Sequence, residues 1–177
     1  MKKYVASNPK AEVIGAALMA YNDAVERDQF IDVLKRYGLT EIDPSKWYPQ
    51  QLTLDVQKAI KDMPGGSTAL VSIGMKIIDT AIFPPMESLE QALGAFASSY
   101  PLNFQHQSAD DLISATLLDD KHIQVKNSSP HSDEMIYGYV YSMVRRFAPK
   151  GSAPVVKFTN LDAVDGDGDT IIDVTWS

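Results

Sequence analysis

The chain has 177 residues with a formal net charge of −7, 45% hydrophobic and 22% charged residues, and no cysteine. Those proportions suit a globular chain with one real core and exclude a disordered one. The acidic balance disfavours nucleic-acid and anionic-membrane partners, and the lack of cysteine excludes disulfides, thiolate metal sites and cysteine nucleophiles.

No run approaches about eighteen apolar residues, and the opening MKKYVASNPK lacks the apolar stretch of a secretory signal, so a cytoplasmic protein without membrane insertion is expected. The first ten or so residues read as a loose start closed by Asn8-Pro9. The alanine-rich run Ala11 to Tyr21 has helical period, with Val13, Ile14, Ala17, Leu18 and Tyr21 on one face. Arg27 to Tyr37 predicts a second helix burying Phe30, Ile31, Val33 and Leu34, with Gly38 as its C-cap. Two prolines then bracket a turn carrying Trp47 and Tyr48. Leu52 to Met63 is helical by period, and Pro64-Gly65-Gly66 breaks it. Ser67 is the expected cap of the next helix, STALVSIGMKIIDTAI, which Phe83-Pro84-Pro85 stops. Glu87 to about Ser99 makes a fifth helix, ended by Tyr100-Pro101.

The pattern then changes. Leu112 to Leu118 and His122 to Lys126 flank Asp119-Asp120-Lys121 as a hairpin would, and Val155 to Thr159 with Ile171 to Trp176 form a second pair. Between the two pairs lies NSSPHSDEMIYGYVYSMVRRFAP. Ser129 and Pro130 predict the start of a helix there. Asp133 and Glu134 near its head and Arg145 and Arg146 at its foot suit the helix dipole, while Met135, Ile136, Tyr139, Val140, Met143, Val144 and Phe147 form one apolar stripe. The expectation is a single α+β domain, helical over about residues 11–100 and sheet-bearing over about 110–177. Its second part is a β-β-α-β-β unit whose four-stranded antiparallel sheet packs on the long helix.

Three stretches, IDPSKWYPQQ, SIGMKIIDTAIFPP and GDTIIDVTW, give the chain a family likeness from about Gly15 to Trp176. It resembles the 4-vinyl reductase domain group. The wider superfamily includes haem–nitric-oxide-binding domains and small subunits of vesicle-tethering complexes in Golgi transport. The resemblance implies an α+β fold with a helical N-terminal part and a sensory role toward a small or lipid-like ligand, often as a homodimer. Two departures stand out. Gly166 to Trp176 has none of the metal-holding cysteines of some relatives, and the chain has no Tyr-x-Ser-x-Arg motif of the haem-binding branch.

Signals for chemistry are few. Asp165, Asp167 and Asp169, with Asp173 beyond, match the oxygen ligands of a calcium loop, yet Thr170 stands where the loop needs glycine and Trp176 where it needs a bidentate glutamate. A solvated hairpin loop accounts for the same letters. His131-Ser132-Asp133 names three catalytic residue types, but neighbours at a helix start diverge, and capping explains them better. His106 is the candidate axial ligand if the protein takes haem; it and His122 otherwise read as isolated surface histidines. Gly65-Gly66-Ser67-Thr68 lacks the lysine of a phosphate loop and reads as a break and cap. Trp47, Tyr48, Ile73, Ile77 and Phe83 form the candidate ligand pocket, against the plainer reading that the same side chains are core. No catalytic pair emerges. The expected function is therefore a non-enzymatic ligand-binding or sensory domain for a small hydrophobic molecule; the alternatives are a ligand-free protein-interaction module and a haem-binding gas sensor.

Overall fold

A computed structural model describes residues 2–160 and 166–177 of the chain. The first half runs β1 (Glu12–Ile14), α1 (Gly15–Asp23), α2 (Arg27–Arg36), β2 (Trp47–Pro49), α3 (Gln50–Lys61) and α4 (Gly66–Thr80). There follow α5 (Leu89–Ser99), a tight helical turn (Tyr100–Asn103) and β3 (Phe104–Gln105). The remainder is β4 (Ile113–Asp119), β5 (His122–Asn127), α6 (Asp133–Phe147), β6 (Val155–Phe158) and β7 (Thr170–Thr175). The α+β class and the β-β-α-β-β unit are as the sequence predicts.

Strands β4, β5, β7 and β6 lie in that order, each antiparallel to its neighbour. Alternation in β5 and β7 sends Ile123, Val125, Ile172 and Val174 into the core, because successive side chains of a strand point to opposite faces. Helix α6 covers that face; Tyr137 packs on Phe158 with ring centroids 5.2 Å apart and donates its hydroxyl to the Val156 carbonyl at 3.1 Å. On its other side α6 crosses α4 at two glycines. A Cβ on Gly74 would stand 2.1 Å from the Met135 carbonyl oxygen, and one on Gly138 would stand 2.2 Å from that of Val71.

The unexpected element is a second, three-stranded sheet in the order β2-β1-β3. Residues Glu12 to Ile14, read from sequence as helix, pair with Trp47–Pro49 on one side and Phe104–Gln105 on the other. Helix α1 thus begins at Gly15, four residues after the predicted Ala11. The junction is tight: a Cβ on Gly15 would meet the Asp43 carbonyl oxygen at 2.0 Å, and the Gly15 N–H donates to Lys46 O at 2.7 Å. Trp47 and Tyr48 are consequently strand residues and not a turn.

Two predicted caps also move. Helix α4 starts at Gly66 after Gly65 in a left-handed conformation (φ 75°), and Ser67 lies in its first turn. Helix α6 starts after Ser132, whose Oγ accepts from Met135 N at 3.1 Å. Ser129 lies three residues before that cap, its N–H and hydroxyl both donating to Asn127 Oδ1, at 3.1 and 2.7 Å. Ser132 is wholly buried, so water cannot replace the lost cap. Ser132→Ala should cost about 1–2 kcal/mol, read as a lower urea midpoint at unchanged slope.

Candidate functional site

Helices α1, α4, α5 and α6 do not close on one another completely. They leave a cavity of about 610 Å³. Small side chains on α1 (Ala16, Ala17, Ala20) face Ile77 and Ile78 of α4, and the shortness of the alanines leaves the space. The far wall is aromatic: Phe96 and Tyr139 meet edge to face at 5.4 Å, and Tyr100 and Phe104 lie 4.9 Å apart. The segment after α4 forms the mouth. There Ile82 is 97% exposed, with Leu102, from the tight turn, 79% exposed on the rim.

The mouth also carries a cation beside it. The Arg146 guanidinium stacks over Phe83 and Phe147, 5.1 and 5.3 Å from the ring centroids. Its Nη1 donates to the carbonyls of Ile78 at 3.4 Å and Ala81 at 3.3 Å, and both residues line the cavity.

Behind the aromatic wall lies a buried polar cluster. His131 is packed against Tyr100 (6.2 Å) and Phe104 (5.4 Å). Its Nδ1 is 2.9 Å from Gln57 Nε2 and its Nε2 is 3.5 Å from Gln50 Nε2. Gln57 donates to Nδ1, so the ring proton belongs on Nε2 and calls for the Gln50 amide oxygen on that side, an oxygen that otherwise has no partner among the described residues. Burial, reinforced by the Lys3 charge, pushes the His131 pKa down to about 3, and the imidazole is neutral. Gln57 Oε1 accepts from Ser132 N at 2.9 Å, which ties the histidine to the start of α6. Lys3, itself buried, pairs with Asp133 at 2.8 Å and donates to Ser129 O at 3.1 Å. Glu134 is paired with Lys61 and accepts from the Ser132 hydroxyl at 3.0 Å.

The sequence-predicted site residues are scattered across this arrangement. Ile77 and Phe83 line the cavity; Trp47, Tyr48 and Ile73 do not. Trp47 is 39% exposed on β2, Ile73 is fully buried core, and the Tyr48 hydroxyl accepts from Asp43 N at 2.9 Å. His106 is exposed, in a left-handed conformation (φ 59°) just after β3, and is not a lining residue. Of the acidic loop, Asp165 lies outside the described residues. Asp167 is exposed, and Asp169 pairs with Lys126 at 2.6 Å, a bond that holds its carboxyl below the usual range. Among the described residues no three His, Asp or Glu side chains converge as a metal site. Sequence reasoning did not find Ala16, Ala20, Phe96, Tyr100, Phe104 or Tyr139 as cavity residues. Tyr139 was visible only as one position of the α6 stripe.

Solved structures of other proteins share this arrangement over nearly its whole length. An H-NOX protein from S. oneidensis, in the Fe(II)NO ligation state, superposes with a TM-score of 0.63 at 11% identity over 93% of this chain and 99% of that one. An oxygen-binding H-NOX domain related to soluble guanylate cyclases, in its oxygen complex, does so with 0.60 at 12% identity over 92% of each chain. The fold is that of the H-NOX domains. At 11 and 12% identity the likeness is one of fold. No protein-family model and no curated protein matches the chain.

Within this H-NOX fold the cavity offers few donors. Its described lining holds no histidine, cysteine, lysine, arginine, aspartate or glutamate. Burial raises the phenol pKa values of both Tyr100 and Tyr139 and keeps them protonated. The side chains of Thr80, Ser99 and Asn103, each already donating to a backbone carbonyl, and the thioethers of Met19 and Met86 complete the set. Such a lining suits an apolar body with one or two hydrogen-bonding points and supplies no acid–base pair.

Proposed function

We propose that this is a non-enzymatic sensory domain that holds a small hydrophobic molecule in the cavity between α1, α4, α5 and α6, and that it works as a cytoplasmic homodimer. The observation that carries the reading is the cavity itself: about 610 Å³ of space walled by alanines, isoleucines and five aromatic rings. No helix among the described residues is long and apolar enough to cross a membrane.

The comparisons lend more specific support to the haem-binding gas-sensor alternative, since one neighbour is in an Fe(II)NO state and the other binds oxygen. Haem needs an axial imidazole, thiolate, thioether or phenolate. This lining has no histidine or cysteine, its phenols are held protonated, its thioethers (Met19 and Met86) would lack the histidine that accompanies methionine in haem ligation, and the described cation at the mouth, Arg146, is one for two propionates. His131, the buried histidine nearest the cavity, sits behind Tyr100 and Phe104 with both ring nitrogens facing glutamines. The residues present do not fit the group, and we rank a metal-free ligand first.

Native mass spectrometry of the gently purified protein tests this. The wild type should carry an apolar adduct of a few hundred daltons, whereas a folded Ile77→Trp protein, its cavity filled by the indole, should carry none. An adduct kept undiminished by folded Ile77→Trp would put the ligand elsewhere, and a clean apo wild type would favour the protein-interaction alternative. Titration with hemin should leave the free-hemin spectrum unchanged; a sharp, stoichiometric Soret shift would move the reading to haem. Sedimentation should give twice the chain mass.

A further inference from the structure

The ligand's chemical class can be taken one step further, resting on the cavity reading above. The cavity has an apolar interior and, among the described residues, one cation beside its mouth. Arg146 reaches the rim from the last turn of α6, touching the cavity-lining residues Ile78, Ala81 and Phe83. Anchoring it there takes only Nη1; its Nε and Nη2 have no protein acceptor among the described residues. The nearest carboxylate on α4, Asp79, is already occupied. It accepts from the Ser142 hydroxyl and lies 3.9 Å from Arg145 Nη2. In a chain of net charge −7, an arginine without a carboxylate partner among the described residues, at the mouth of a cavity with no acidic residue in its described lining, is a distinctive arrangement.

Its geometry is fixed in advance. The guanidinium rests against the edge-to-face pair Phe83–Phe147 and is tethered to two carbonyls, which limits the freedom it has to lose on taking an anion. Its planar fork matches a carboxylate, and an acceptor there would meet donors that are otherwise spent on water. Exposed Ile82 and Leu102 beside it give the first carbons of an apolar tail something to pack on. We propose that the site takes an amphipathic carboxylate: an apolar body inside the cavity and a carboxylate at its mouth, held by Arg146. The neighbouring Arg145, of equal charge but turned to Asp79, has no such role.

A matched pair of fluorescent probes tests this, pyrenebutyric acid and its methyl ester, which share one body and differ in the charge of the head. Both should bind the wild type, and both should be lost in Ile77→Trp. Arg146→Gln should weaken the acid by about tenfold, as expected for one partly exposed charge-assisted bond, while leaving the ester within about twofold. Arg146→Lys should recover part of the acid's affinity, and Arg145→Gln should change neither probe. If Arg146→Gln weakens acid and ester alike, or weakens neither, Arg146 is only a cap for α4 and the carboxylate assignment is overturned while the cavity reading stands. If neither probe binds the wild type, or both survive in folded Ile77→Trp, the cavity reading fails and this inference falls with it.

Discussion

Gly138→Ala should lower the stability of the protein by about 3 kcal/mol, a large part of the total margin of a domain this size. The added methyl would lie 2.2 Å from Val71 O and 3.0 Å from Met75 N, both backbone atoms of α4 that no rotamer change can move aside. Either the helices separate or one bends. Alanine gains about 1 kcal/mol of helix propensity over glycine, but separation opens voids along a contact that carries Ile73, Ile136, Val140 and Met143, all fully buried. Gly74→Ala meets the same obstacle from the other side, with Met135 O at 2.1 Å. Since both changes force the same separation, the double variant should lose clearly less than the sum of the two. Gly94, on α5, has nothing within 4 Å of its would-be Cβ. Gly94→Ala should stabilise by about 0.5–1 kcal/mol. Urea midpoints of the four variants decide the matter; a Gly138→Ala protein as stable as wild type would show that the two backbones are not in contact.

Acid should weaken the fold through His131 well before general acid denaturation. Its folded pKa, about 3, lies below the ordinary 6.5 because the ring is buried first of all, and because the Lys3 charge opposes a second cation nearby. A depressed histidine pKa means that the unfolded chain binds the proton first. Its contribution is complete above the unfolded value and is lost as pH falls from about 6.5 toward 3, the window in which only the unfolded state is protonated. At pH 5 the loss is about 2 kcal/mol relative to pH 8. Asp169 and Asp173 have carboxyls held below their usual range and add to acid sensitivity at lower pH; Asp111, raised mainly by burial, works the other way. His131→Gln puts a non-titrating amide where the ring stood. It should start less stable at pH 8, because Gln50 and Gln57 lose their partner, and should then fall less between pH 8 and pH 5. Equal acid sensitivity in the two proteins would show that His131 takes up its proton without unfolding.

How legible each part was in the sequence follows from where its determinants lie. Helix α6 could be read because its charges, apolar stripe and terminating proline lie within one contiguous stretch; only the cap was misassigned, since Ser129 and Ser132 both suit the role and Ser132 is the one that accepts from Met135 N. The four-stranded sheet was readable from alternation in β5 and β7. The three-stranded sheet was not: its strands are two or three residues long, too short for any period, and β1 lies inside an alanine-rich run that favours helix. The cavity was the hardest part. It is an absence of atoms, created by small residues at Ala16 and Ala20 facing rings as distant in sequence as Tyr139. Large aromatics drew the pocket reading to Trp47 and Tyr48, and what removes Tyr48 is one hydrogen bond to Asp43, invisible without coordinates.

The Lys3 ammonium, closed in between Asp133 and the Ser129 carbonyl, has a kinetic consequence. It joins positions 126 apart in the chain, and β1 likewise finds its partner β3 only after five helices have been made. A growing polypeptide therefore carries a lysine that stays unsatisfied until Asp133 has been added and a strand with one edge unpaired until Phe104 and Gln105 have been. Helices α1 to α5 can form locally while they wait, but the final closure is a long-range event with a large loop entropy to overcome. Refolding should accordingly show helix appearing quickly and the burial of His131 and Lys3 coming last.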